Sequence, residues 1–207
     1  MSKIGTLFIV SAPSGAGKTS LVKALLRKVS RIQVSVSHTT RAPRPGDQHG
    51  IDYYYVTEES FTKMIEKEAF FEYAKVFGNY YGTSKKAVQE ALEAGIDVIL
   101  EIDWQGGRQI RQLFPNAVSV YIMPPSLQEL ELRLTNRQQD SHDVIAGRMS
   151  EARDEMSHFH EFDYLVVNDN FEQALSEFSA IVIANRQKTE ILSQNHKKLL
   201  EELTQSG

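Results

Sequence analysis

The sequence predicts an α/β fold: a parallel sheet with helices on both faces, a small mixed α/β lobe and a helical lid. Three observations predict it. Short apolar, largely β-branched runs at 6–10, 97–103 and 117–123 read as buried strands. A segment with helical apolar spacing follows each of them. Between about 36 and 96 the chain becomes rich in Arg and Tyr and reads as antiparallel, which sets that stretch apart.

The elements follow in order. Residues 6–10 form the first strand; after a glycine loop, TSLVKALLRKV places Leu21, Leu25 and Val29 on one helical face, with Val22 and Leu26 beside them. IQVSVS, 32–37, alternates as a strand does, and HTTRAPRPGDQHG is a loop by its Pro, Gly and Arg content. IDYYYV reads as a strand, EESFTKMIEKEAF as a helix, FFEYAKVF as a strand and GNYYGT as a turn. Ser84 is placed to cap a helix running through Ala94 and stopped by Gly95. DVILEID, 97–103, is a strand ending in two acids, followed by a helix from Trp104 to Leu113. AVSVYIM, 117–123, is a strand closed by Pro124 and Pro125. Ser126 and Glu129 form a capping box for a helix to about Asn136. A further helix covers 141 to about 158, DYLVVN is the last strand, and 171 to about 202 is mostly helical.

Composition removes several classes of function. A chain of 207 residues suits one compact domain with subdomains. A net charge of −4 gives no field for nucleic acid or membranes, so neither is expected as a partner. With no cysteine there are no disulfides, thiolate metal sites or cysteine nucleophiles. No apolar run approaches the roughly 20 residues that span a bilayer. The opening MSKIGTLFIV is too short in apolar length for a secretory signal, so a cytoplasmic setting is expected.

The loop after the first strand carries the sharpest signal. SAPSGAGKTS matches the phosphate-binding pattern G-x-x-x-x-G-K-[ST] except that Ala12 stands at the first glycine. Gly15 and Gly17 permit backbone angles at which the N–H groups of Ser14, Gly15, Ala16, Gly17 and Ser20 can surround an anion. The helix that follows adds its positive end. Lys18 brings a full charge to the β and γ phosphates, and Thr19 a hydroxyl for Mg²⁺. A strand before and an amphipathic helix after supply the context that marks a nucleoside triphosphate site. Within the inserted lobe, Arg41 and Arg44 stand three apart among prolines, and guanidinium forks suit phosphate oxygens.

Five stretches in order, APSGAGKTS, VSHTTRAPRPGDQHGIDYYYV, GNYYGTS, EIDWQGG and VNDNF, resemble the guanylate kinases over about residues 6–185. The resemblance implies transfer of a phosphoryl group from ATP to GMP. It implies a core at about 1–35, 97–125 and 160–207, a GMP-binding lobe at about 36–96 and a lid at about 126–159. By position, Ser37, Arg41, Arg44, Tyr53 and Tyr81 are similar to the family's GMP-phosphate contacts, and Glu72, Thr83 and Asp103 to its guanine-side contacts. Arg133, Arg137 and Arg148 resemble its lid arginines, with Asn136 and Gln138 where glycines are expected. Lys18, Arg41, Arg137 and Arg148 are the implied catalytic group, and Arg133 and Arg137 are also implied on the ATP side. Guanine offers N1–H and a 2-amino group side by side, which one carboxylate at Glu72 accepts together.

Thr19 is the expected Mg²⁺ ligand; either Glu101 or Asp103 is placed to hold the ion's waters, and Asp103 is alternatively placed to orient Arg41. Gly106 and Gly107, costly in a helix, suggest close approach of backbone to substrate. His158 and His160 read as a helix-end surface pair and Trp104 as packing. Two rival readings remain open: a kinase for another nucleoside monophosphate, and a guanylate-kinase-like binding module without catalysis. Monomer and homo-oligomer are equally open.

Overall fold

The computed structural model describes residues 4–76, 78–136 and 142–204; of residues 142–146 it describes the backbone alone. Five strands form a wholly parallel sheet in the order β2-β7-β1-β8-β9. They are β1 (Leu7–Ser11), β2 (Ile32–Val34), β7 (Asp97–Glu101), β8 (Val118–Met123) and β9 (Tyr164–Val167). A second, mixed sheet runs β4-β3-β6-β5, built from β3 (His38–Thr39), β4 (Tyr54–Tyr55), β5 (Phe70–Val76) and β6 (Asn79–Ser84).

Side-chain alternation along β1 divides the core in two. Phe8 and Val10 pack with Leu21, Val22 and Leu25 of α1 (Lys18–Lys28) and with Phe178 and Val182 of α7 (Phe171–Arg186). Leu7 and Ile9 point the other way, to Val88 and Ala91 of α3 (Lys85–Glu93) and Ile110 of α4 (Trp104–Leu113). Both faces of the sheet are thus covered, as its uninterrupted apolar strands require. Helix α2 (Glu58–Glu66) places the buried Phe61 under the second sheet. Helices α5 (Leu127–Asn136) and α6 (His142–Ser157) lie between β8 and β9 in sequence and share the cluster of Leu130, Leu134 and Ala152. The short helices α8 (Thr189–Asn195) and α9 (Lys197–Thr204) end the described chain.

Five local expectations are corrected. Of GNYYGT only the first residue, Gly78 with φ 78°, belongs to a turn; Asn79–Ser84 is strand β6, central in its sheet between β3 and β5. Its Gly82 serves packing: a Cβ there would lie 2.9 Å from Phe61 and 3.0 Å from Phe70. IQVSVS pairs only at 32–34, and IDYYYV contributes two strand residues and one isolated bridge, His49 to Tyr53. Ser84 stands at the cap position of α3 without a side-chain bond to the helix. Only half of the capping box forms. Ser126 accepts from the Glu129 amide at 3.0 Å, while the Glu129 carboxylate turns to Arg133 at 2.8 Å.

His158 also departs from a surface pair. It stacks on Trp104 with ring centroids 3.6 Å apart and planes at 11°, and lies 2.7 Å from the Glu161 carboxylate. Arg108 covers the same indole at 4.9 Å and is itself bound to Glu161. His160 is exposed. Among the described residues no group of three His, Cys, Asp or Glu side chains is arranged to hold a metal.

Candidate active site

The C-terminal ends of β1 and β7 open into a cavity of about 570 Å³ that also reaches the second sheet. This is where parallel α/β sheets place ligands, because loops diverge there and helix N-termini converge. The β1–α1 loop forms one wall with Ser14, Gly15, Gly17, Lys18 and Thr19. Gly15 and Gly17 have φ 93° and 94°, the left-handed region in which side chains are strained. Ala16 turns its methyl group into the core, leaving only its backbone for the loop, and Ser20 is exposed on α1 outside the cavity wall. Thr19 donates its hydroxyl to Glu101 at 3.0 Å. A hydroxyl and a carboxylate side by side fit Mg²⁺, which prefers hard oxygen donors and keeps several waters. Asp103 lines the same cavity, and its carboxylate also caps α4, accepting from the Gly106 amide at 2.8 Å.

The facing wall carries Ser37, Arg41, Arg44, Tyr53 and Tyr81. Arg41 is held by Asp47, not by Asp103, at 2.8 Å, and lies over the rings of Tyr53 and Tyr55. Asp47 also accepts from the Tyr55 hydroxyl at 2.6 Å and the Arg44 amide at 3.0 Å. Burial pushes this carboxyl up, but the Tyr55 hydroxyl, the Arg44 amide and Arg41 together hold it down at about 2. The Asp47–Tyr55 clasp was not foreseen. Asp47 lies in the loop rich in Pro, Gly and Arg, and nothing local in the sequence says that it closes back on Arg41.

Glu72 is one of two carboxyl groups lining the cavity that burial pushes well up. It is 3% exposed, and its carboxylate takes the Thr83 hydroxyl at 2.5 Å. Burial pushes it up to about 7, with the Asp103 charge adding and the Thr83 contacts opposing. Thr83 is fully buried behind it, off the cavity wall. A Cβ at Gly106 would come within 2.7 Å of Glu72, so this glycine accommodates the carboxylate. Gly107 instead packs on Ile9. The expected approach of this helix turn to substrate is thus an approach to Glu72 and to the core.

Helix α6 contributes Arg148 and two acids, Glu151 and Glu155, to the wall. Glu155 had no sequence signal. It accepts from the Ser14 amide at 3.3 Å, and burial pushes it up to about 7. Arg133 is not on the wall; it bonds Glu129 and, at 3.1 Å, the Asn168 carbonyl. Arg137 and Gln138 lie outside the described residues.

A loop shaped for phosphate thus faces an Arg/Tyr wall and a buried carboxylate across one cavity. The chain matches the guanylate kinase family model over residues 4–185. The chain belongs to the guanylate kinase family. It is 57% identical over 203 residues to the guanylate kinase of Saccharophagus degradans, covering 98% of this chain and 99% of that one. It is also 57% identical to the guanylate kinase of Pasteurella multocida, with 96% and 97% covered. The crystal structure of the guanylate kinase from Anaplasma phagocytophilum superposes with TM-score 0.80 at 33% identity, covering 97% and 95%. No helix among the described residues is long and apolar enough to cross a membrane.

Proposed function

We propose that this guanylate kinase transfers the γ-phosphoryl of ATP directly to GMP within the one cavity, giving ADP and GDP. The observation that carries the reading is the shared space: the glycine loop with Lys18 and the buried Glu72 open into the same 570 Å³ volume. The loop amides from Ser14 to Ser20 and Lys18 hold the triphosphate. Ser37, Arg41, Arg44, Tyr53 and Tyr81 hold the GMP phosphate, and Glu72, with Thr83 behind it and Asp103 on the same wall, receives the guanine edge. Arg148, with Arg133 and Arg137, belongs to a lid at 126–159 that closes over the transferring group. Residues 36–96 act as the GMP lobe.

The nucleophile is an oxygen of GMP that is already ionised, so no general base is required. Catalysis rests on alignment and on neutralising the γ-phosphoryl charge. Arg41 is prealigned for this by Asp47, which fixes its guanidinium before substrate arrives. Thr19 and Glu101 are the residues that would hold Mg²⁺, one directly and one through its waters. That ion would neutralise phosphate charge. Glu72 sets the base: adenine carries an acceptor at N1 and would leave the carboxylate unpaired, a mismatch worth roughly 10⁴-fold in comparable sites.

The test is ADP release from ATP in the presence of GMP, AMP, UMP or dTMP. Turnover with GMP alone is expected. Comparable turnover with another monophosphate would overturn the base assignment. Lys18→Ala is expected to lower kcat/KM by about 10² to 10³, as for loss of one preorganised donor.

A further inference from the structure

We infer that Asn168 is a positioning residue: its side-chain amide holds the phosphate loop in anion-binding shape and joins that loop to Arg133 of α5. The inference rests on the reading of the loop as the triphosphate site.

Asn168 directly follows β9 and is 5% exposed. Its Nδ2 donates to the Ala16 carbonyl at 2.7 Å. Its backbone is fixed at both ends: the amide donates to the Met123 carbonyl at 2.8 Å, and the carbonyl accepts from Arg133 at 3.1 Å. A loop that turns its N–H groups toward an anion must turn carbonyls away from it. Such a carbonyl, when buried, needs a donor. Asn168 supplies that donor. The peptide joining Ala16 to Gly17 is planar, so its carbonyl and its N–H point in opposite directions. Clamping the Ala16 oxygen therefore fixes where the Gly17 N–H points.

The same contact accounts for the residue at position 17. A Cβ there would lie 2.4 Å from Asn168 Nδ2, so the glycine meets two needs, a positive φ and room for this amide. Arg133 now has a physical part. It stands off the cavity wall and, tethered to Glu129, grips the residue that grips the loop. A movement of α5 is transmitted to the phosphate cradle through the Asn168 main chain.

Asn168→Ala in the full-length enzyme tests this. Calorimetry would measure binding of ATP, of tripolyphosphate, which has no base, and of GMP; steady-state kinetics would give both KM values. Loss of one buried hydrogen bond is expected to weaken ATP and tripolyphosphate alike by about 10-fold. The KM for ATP should rise while the KM for GMP stays within about 2-fold, a split that general damage to the fold would not produce. Asn168→Asp keeps the size and removes the donor, so it should show the same split if the alanine variant fails to fold. Unchanged tripolyphosphate binding in a folded variant, or equal losses for GMP and ATP, would overturn the inference. Wild-type enzyme that binds neither ATP nor tripolyphosphate would remove the site reading itself, and the inference with it.

Discussion

A carboxyl group at 3% exposure holds its charge poorly without a cationic partner, and among the described residues Glu72 is hydrogen-bonded by Thr83, through its hydroxyl and its backbone. Its raised value, about 7 against 4.5 for the free side chain, has two consequences. Between those values the folded protein keeps a proton that the unfolded chain has released. Stability of the empty enzyme therefore falls as pH rises through that window. Glu72→Gln should flatten this slope, measured as the difference in Tm between pH 5 and pH 8. Guanine, in contrast, brings two donors that favour the ionised form. GMP binding near pH 6.5 should therefore release a proton, visible as a binding enthalpy that varies with the ionisation enthalpy of the buffer. Glu72→Gln should reduce that dependence to the share due to the GMP phosphate, whose second pKa is about 6, and raise the KM for GMP far more than that for ATP. Equal proton release in the variant would assign the titration to another group. Glu155, also near 7, is the internal comparison, since it faces the ATP loop.

At the scale of elements, α4 illustrates a conflict between local and tertiary demands. Gly106 in the first turn of a helix costs about 1 kcal/mol against alanine. The room it leaves is taken by Glu72 Oε2, 2.7 Å from where a methyl group would stand. Gly106→Ala is expected to leave Tm unchanged or higher while raising the KM for GMP. Melting curves and steady-state kinetics on the same preparation check both. Sequence made α4 legible to the residue, and β1, β7 and β8 nearly so, because apolar runs and capping signals are local. Strand β6 was missed for the opposite reason: Asn-Tyr-Tyr-Gly carries turn chemistry, and only β3 and β5 on either side make it a strand. The β1–α1 loop and its two positive-φ glycines were legible because the pattern is written in eight consecutive residues. Asp47, Glu155 and Asn168 act through partners distant in sequence or in other elements, and the last two reach the loop from 141 and 152 positions away.

For the whole molecule, one chain builds two sheets and places the reaction space between them. On the proposed assignment, the wholly parallel strands set the triphosphate end of the cavity and the small mixed sheet its nucleoside monophosphate end. Neither wall alone encloses a substrate, and a site open to water would let ATP hydrolyse. Small-angle scattering should therefore show a contraction when GMP and a non-hydrolysable ATP analogue are both present, larger than with either ligand alone. Identical profiles under all conditions would argue against closure.

The face-to-face stack of Trp104 on His158 gives that motion an optical signature. The chain has one tryptophan, so tryptophan emission comes from a single place, the junction where His158, the residue just after α6, stacks on Trp104 at the start of α4. An imidazole 3.6 Å from the indole is close enough to quench it, and Arg108 shields the ring as well. If nucleotide binding levers α6 away from α4, fluorescence will brighten and shift to the red with the kinetics of that step. If the junction is the fixed pivot, the spectrum will stay constant while the rest of the molecule contracts.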